Sequence, residues 1–199
     1  TRITIGISNF MAKSSIFILF GIVGFFIFLK LVRKTEKGRK VTDKIFLHIP
    51  VLGVILLKSA LSRFARTLGT LLGSGVPILS SMEICARASG NKVIEDIVIE
   101  MKEDITAGKS LTEVLKTRPS VFPPIFVQMV NVGESTGATD EMLNKVADFY
   151  DEEVDNAVAN LMSMLEPALI VFLGVTIGFI VLSLYLPIFK LGEVVGKGG

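Results

Sequence analysis

The stretch Asn131–Leu143, "NVGESTGATDEML", sets Gly133 and Gly137 around Glu134 just ahead of an acidic helical segment. A glycine-rich loop opening a helix can turn backbone N–H groups toward a phosphate. Such a cradle needs a strand before it and a cation closing it. No strand pattern precedes Gly133, and no lysine closes the loop after Gly137. What remains is a helix stop at Gly133 or Gly137 and a cap at Thr139 or Asp140, with Glu134 left to bond neighbouring backbone or side chains.

The other groups capable of chemistry are sparse. His48 is the only histidine and Cys85 the only cysteine, so no Cys/His metal quartet and no disulfide framework can form within the chain. His48 would be the sole base available to a nucleophilic site, and its apolar surroundings mark it as a packed or interfacial residue. Asp151, Glu152, Glu153 and Asp155 form an acidic run. With Asp148 they lie on the faces of the helix away from its apolar seam, and such a run of carboxylates reads as solvated, as a charged docking surface, as a polar site or as a weak divalent-cation site. No neighbour buries one carboxylate to split a pair into acid and base. Walker, dinucleotide-binding and zinc-protease motifs are all missing. The sequence therefore predicts no catalytic, cofactor or metal site, and no enzyme.

The elements that hold these residues follow from hydropathy. Half of the 199 residues are apolar, and the mean hydropathy is +0.62, which is high for a soluble domain. Ile16–Val32 and Pro167–Phe189 are each apolar enough to cross a bilayer, which takes about 20 residues. They form the cores of expected spans at 14–32 and 165–189. Lys30, Arg33, Lys34, Lys37, Arg39, Lys40 and Lys44 crowd the exit of the first. The positive-inside rule then puts the intervening region in the cytoplasm and residues 1–13 and 190–199 on the far side. A net charge of only +2 and a basic cluster placed beside a span favour anionic lipid over nucleic acid as the cluster's partner. Within the basic segment 33–58, the run "IFLHIPVLGVILL" at 45–57 is too short and too broken by Pro50 and Gly53 to cross, and suits an interfacial or buried position.

Residues 59–164 read as a helical bundle. Leu61, Phe64, Ala65, Leu68 and Leu72 form one apolar stripe, with Arg63 and Arg66 off it. Gly73 and Gly75 end that helix, Pro77 suits the first turn of the next, and Gly90 stops it. Asn91 caps a third helix, and Ser110 with Glu113 spells a capping box. Prolines 123 and 124 open a further helix. The last one runs from Thr139 or Asp140 toward the second span, with Leu143, Ala147, Tyr150, Val154, Ala157, Leu161 and Met164 as a packing seam and Pro167 placed to bend it near the membrane. The expected fold is all-α: a cytoplasmic helical bundle between two transmembrane helices. Neither span carries an intramembrane acid or base, apart from Lys30 near one end, as a transport path would require. Gly174 and Gly178 are spaced for close packing of membrane helices.

The basic exit of the first span, "SRFARTLGTLLGSGVPIL", "VNVGESTGATDEMLNKVADFYDEEVD" and "LEPALIVFLGVTIGFIVLSLYLPIF" stand in a distinctive order. On these stretches the chain resembles the type II secretion system F family, the inner-membrane platform proteins of type IV pilus assembly and type II secretion machines. The resemblance runs from about Ile16 to Leu191 and corresponds to the C-terminal half of a family member. It implies a multi-pass protein of the bacterial inner membrane with no cofactor of its own. The implied role is to couple a cytoplasmic hexameric assembly ATPase to the insertion or removal of pilin subunits, or the equivalent role in a secretion pseudopilus. The implied partners are that ATPase, pilin or pseudopilin transmembrane helices, other inner-membrane machine proteins and further copies of the chain. Gly133, Glu134 and Gly137 match the family's V-G-E-x-x-G stretch. Arg63 and Arg66 are candidate ATPase-docking or lipid-proximal residues, and Asp151, Glu152, Glu153 and Asp155 a candidate acidic docking face.

Overall fold

The computed structural model describes residues 30–196, so the first expected span and residues 1–13 lie outside the described residues apart from positions 30–32. Every regular element described is a helix: α1 (Glu36–His48), α2 (Leu52–Gly73), α3 (Ile78–Ala88), α4 (Lys92–Thr106), α5 (Leu111–Lys116), α6 (Pro124–Thr136) and α7 (Thr139–Gly196). Two units emerge. One is Val32–Ala159, and the other includes α7 from Asn160 onward.

Local chemistry sets most helix boundaries in the first unit. Thr35 caps α1 by accepting from the Gly38 N–H at 3.2 Å. The Asn91 side chain accepts from Val93 and Ile94 at the start of α4, and Ser110 with Glu113 forms the reciprocal capping box of α5. Pro124 occupies the first turn of α6, where a missing N–H costs nothing. α7 begins at Thr139, with the Ala138 carbonyl accepting from the Met142 N–H at 3.0 Å. Its cap position is therefore Ala138, just before the two residues expected there.

The run 45–57 is not one segment. It divides at residues 49–51 between the end of α1 and the start of α2, which meet at 115°. α2 thus starts well before Leu61. The basic segment ahead of it folds too: Asp43 is buried on α1, bonded to Arg33 at 3.0 Å and to the Lys92 N–H of α4 at 2.8 Å.

An aromatic cluster centres the core. Phe64 of α2, Phe122 of the α5–α6 connection and Phe126 of α6 are buried with ring centroids 5.2–6.2 Å apart. Tyr150 of α7 packs on Phe126 at 6.1 Å. Burial of the Cys85 thiol pushes its pKa up to about 12, so this cysteine is a core residue and not a nucleophile. Along α7, Leu143, Val146, Ala147 and Tyr150 are buried, Val154, Ala157 and Leu161 are half-buried, and Met164 is 69% exposed. The expected seam is therefore a core contact only in its first part.

Within the second unit, α7 continues through Pro167 without interruption. Its most apolar stretch has a mean hydropathy of 2.3 and none of it is buried among the described residues, so this helix is long and apolar enough to cross a membrane.

Truncating Phe126 to alanine removes the ring shared by Phe64, Phe122 and Tyr150, and should destabilise the bundle by about 3–5 kcal/mol. Urea unfolding of the detergent-solubilised chain, followed by helical circular dichroism, measures this. A loss below about 1 kcal/mol would show that the site collapses without the ring.

Candidate functional site

Gly133, Glu134 and Gly137 come together at the α6–α7 connection, and each does something different. Gly133 lies inside α6 and is buried. A Cβ there would sit 2.8 Å from the Thr139 Cα, so its bare backbone lets the first turn of α7 approach. Across that turn lies Gly69 of α2, whose Cβ would meet the Asp140 carbonyl oxygen at 3.0 Å. The start of α7 is thus wedged between two backbones. Gly137 ends α6 in the left-handed region at φ 74°, and the Gly133 carbonyl accepts from the N–H groups of both Gly137 and Ala138. The helix stop is therefore Gly137.

Glu134 reaches across to α5. Its Oε1 accepts from the Leu111 N–H at 2.8 Å and its Oε2 from the Thr112 N–H at 2.9 Å. The capping box of α5 already pairs the Glu113 N–H with Ser110 at 3.2 Å. Together these two carboxyl acceptors and one hydroxyl satisfy the first amide donors of a helix only six residues long. A carboxylate occupying those donors leaves them closed to phosphate, and its charge suits the positive end of the helix.

The charged residues singled out in the sequence meet one another. Lys58, Ser62 and Arg66 recur every four residues along α2, facing Glu153, Asp151 and Asp148 in antiparallel order on α7. Arg66 Nη2 donates to Asp148 at 2.6 Å and to Asp151 at 2.8 Å. The Ser62 hydroxyl, then Arg66, holds the Asp151 carboxyl below its ordinary value. Asp148 and Asp151 in turn raise the Arg66 guanidinium. The individual ion pairs are half-exposed and worth about 0–1 kcal/mol each. Their geometry fixes which faces of α2 and α7 meet.

Arg63 points elsewhere. Its Nε and Nη2 donate to the Ser89 carbonyl at 3.2 and 2.7 Å, closing the C-terminal end of α3. The expected docking residues Arg63 and Arg66 are thus both engaged within the bundle, as are Asp151 and Glu153 of the acidic face. Glu152 and Asp155 are exposed and make no ion pair among the described residues. No group of histidine, cysteine or acidic side chains among the described residues is arranged to hold a metal ion. Among the described residues, no other part of the chain comes within 4 Å of where a Cβ would stand on Gly174 or Gly178. Asp148 belongs to the acidic residues of the last helix in the sequence, whereas Lys58 and Ser62 carry no local sign of a role beyond their four-residue step along α2.

Residues 64–187 match the family described as type II secretion system (T2SS), protein F. The chain belongs to this family. It is 49% identical over 158 residues to the type IV pilus assembly protein PilC of Myxococcus xanthus, covering 79% of this chain and 38% of that protein. It is 40% identical over 198 residues to the PilC of Pseudomonas aeruginosa, covering 98% and 52%. The type II secretion system protein F of the same P. aeruginosa strain is 28% identical over 200 residues, covering 98% and 48%. The chain spans about half the length of the curated relatives it matches. The family match contains the α6–α7 wedge, Glu134 and the acidic strip.

Glu134→Ala leaves the Leu111 and Thr112 donors unpaired, at a cost of about 1–3 kcal/mol. Faster amide exchange at these two positions, with the Asn91-capped start of α4 unchanged, is the expected signature. Glu134→Gln keeps an acceptor oxygen and should fall between alanine and the unsubstituted chain. Equal protection in all three would remove Glu134 from the α5 cap.

Asp151 also predicts a pH response. Its folded pKa is depressed, so it favours the folded state above the ordinary aspartate value near about 3.9 and loses that contribution as pH falls through the lower folded value. Asp151→Asn should lower the Tm at neutral pH, with the gap from the unsubstituted chain closing in acid. A gap that persists undiminished in acid would assign the effect to packing.

Proposed function

We propose that this chain is the membrane-embedded platform portion of a type IV pilus assembly machine, residing in the bacterial cytoplasmic membrane with its bundle in the cytoplasm. In this role it couples a cytoplasmic hexameric assembly ATPase to the insertion of pilin subunits into the pilus or their removal from it. The observation that carries the reading is the difference in identity. Relatives named as pilus assembly proteins are 39–49% identical, while those named type II secretion system protein F are 28–33% identical. A secretion platform is the second reading, supported by the shared family.

The role is mechanical and not enzymatic. α7 belongs to both units as a single helix, and a wedge of glycine contacts grips its start. Strain placed on the bundle would then reach the apolar part of α7 along the helix they share. The apolar part of α7, with Gly174 and Gly178 exposed on it, is the surface proposed for pilin helices or further copies of the chain. The first span, the two-span topology and the orientation belong to the same proposal, supported by the apolar run 16–32 and the basic residues after it.

Within the acidic run Asp151–Asp155, Glu152 and Asp155 are the residues with no ion pair among the described residues and are open to a partner. Charge reversal of both to lysine should abolish co-purification of the assembly ATPase while leaving the helical signal and Tm of the full chain unchanged. Retained ATPase with these two reversed would exclude this face from docking. Tight ATP binding by the chain alone would count against the platform role itself.

A further inference from the structure

The elbow between α1 and α2 exposes an apolar surface that the bundle leaves uncovered. Val41, Ile45, Val51, Leu52 and Val54 are between 46% and 59% exposed, and Leu56 joins them at 37%. Val41 and Ile45 stand one turn apart on the outward face of α1, and the other four surround the first turn of α2. From Ile45 to Leu57 no residue carries a formal charge other than any on His48. Val51, at the tip, holds φ 70° and ψ −56°, a tight turn closed by the Leu52 N–H donating to the Pro50 carbonyl at 2.9 Å, which a β-branched residue adopts only under constraint. Directly beneath it, Gly53 lies against the Leu47 carbonyl, with the position of a Cβ only 2.1 Å from that oxygen. The elbow is therefore folded tightly with its apolar residues turned outward.

Charge says what covers it. Arg33, Arg39 and Lys40 are neutralised by Asp43, Glu95 and Asp96 within the bundle. Lys34, Lys37 and Lys44 are exposed and have no carboxylate partner among the described residues. Lys37 and Lys44 lie seven positions apart on α1, beside the Val41–Ile45 strip. The inner side of the elbow forms a groove of about 340 Å3 where Phe46, Leu52 and Leu56 face Arg33 and Arg63, and where Asp43 is already bonded to Arg33 and to the Lys92 N–H. Apolar surface rimmed by free lysines is complementary to an anionic lipid surface. In sequence the elbow follows closely on the apolar run 16–32, which limits how far it can lie from a bilayer that the run enters.

We propose that the α1–α2 elbow docks into the interfacial layer of an anionic lipid bilayer, with its apolar tip among the upper acyl chains and Lys34, Lys37 and Lys44 at the phosphates. The bundle is then held against the membrane by a second contact besides its spans. This rests on the membrane location proposed above, and the test separates the two.

Cys85 is buried and its thiol is pushed up to about 12, so single cysteines introduced into the full chain can be labelled selectively. A bimane label is placed by Val54→Cys at the elbow, by Val175→Cys in the apolar part of α7, and by Glu152→Cys on the solvated acidic face. Each protein is reconstituted into vesicles of phosphatidylethanolamine and phosphatidylglycerol, with and without lipids brominated near the headgroup end of the acyl chain. The expected result is loss of most emission for Val54→Cys and Val175→Cys, with Glu152→Cys unaffected. Replacing phosphatidylglycerol by phosphatidylcholine should reduce quenching at the elbow and leave Val175→Cys as it was. Quenching at Val175→Cys with none at Val54→Cys would overturn the elbow contact and leave the membrane location standing. Quenching at neither would overturn both. Equal elbow quenching without anionic lipid would overturn the role of the lysines. Disulfide-linked dimers of unlabelled Val54→Cys would overturn the proposal by assigning the patch to a second copy.

Discussion

Backbone amides at helix starts have no partner inside their own helix, and in a bundle of short helices those starts fall between neighbours and away from bulk water. The first unit meets this constraint with acceptors borrowed from other helices. Asp43 of α1 bonds to the first N–H of α4, and Glu134 of α6 bonds to the first two of α5. At the opposite polarity Arg63 of α2 closes the carbonyl end of α3. These are the contacts that tie helix to helix at their ends, while the Phe64–Phe122–Phe126 cluster ties them at the middle. Because an unmet buried amide costs more than a typical met one contributes, the end contacts select one arrangement over compact alternatives.

The same economy governs the α6–α7 connection. Three roles that a longer loop would distribute are compressed into Gly133, Glu134 and Gly137: close approach, a cap in trans, and reversal of chain direction. A phosphate-binding loop would use the same residue types, but would leave its amides open. Here they are filled by the protein's own carboxylate, which is why the motif is structural in the described chain.

Signals confined to a few neighbouring residues were readable. Asn91, the Ser110–Glu113 box, Pro124 and the glycine stops each act within one turn, and the structure holds them within a residue or so of expectation. What was hidden depends on partners far away in sequence. Glu134 gives no hint that it caps a helix that starts at Leu111, and Lys58 and Arg66 look solvated until α7 is laid antiparallel beside them. The basic stretch after residue 32 concealed a helix, because the positive charges that mark a membrane flank also disguised the buried Asp43 among them.

The reach of Glu134 sets an order of events. A helix of six residues is far too short to persist alone, since nucleation costs more than so few hydrogen bonds return. The acceptor that completes α5, the Glu134 carboxylate, lies on the following helix. α5 therefore gains its structure from a segment made after it. During synthesis the stretch 111–116 must wait, unfolded, until α6 has emerged, and the pair then forms as one cooperative piece.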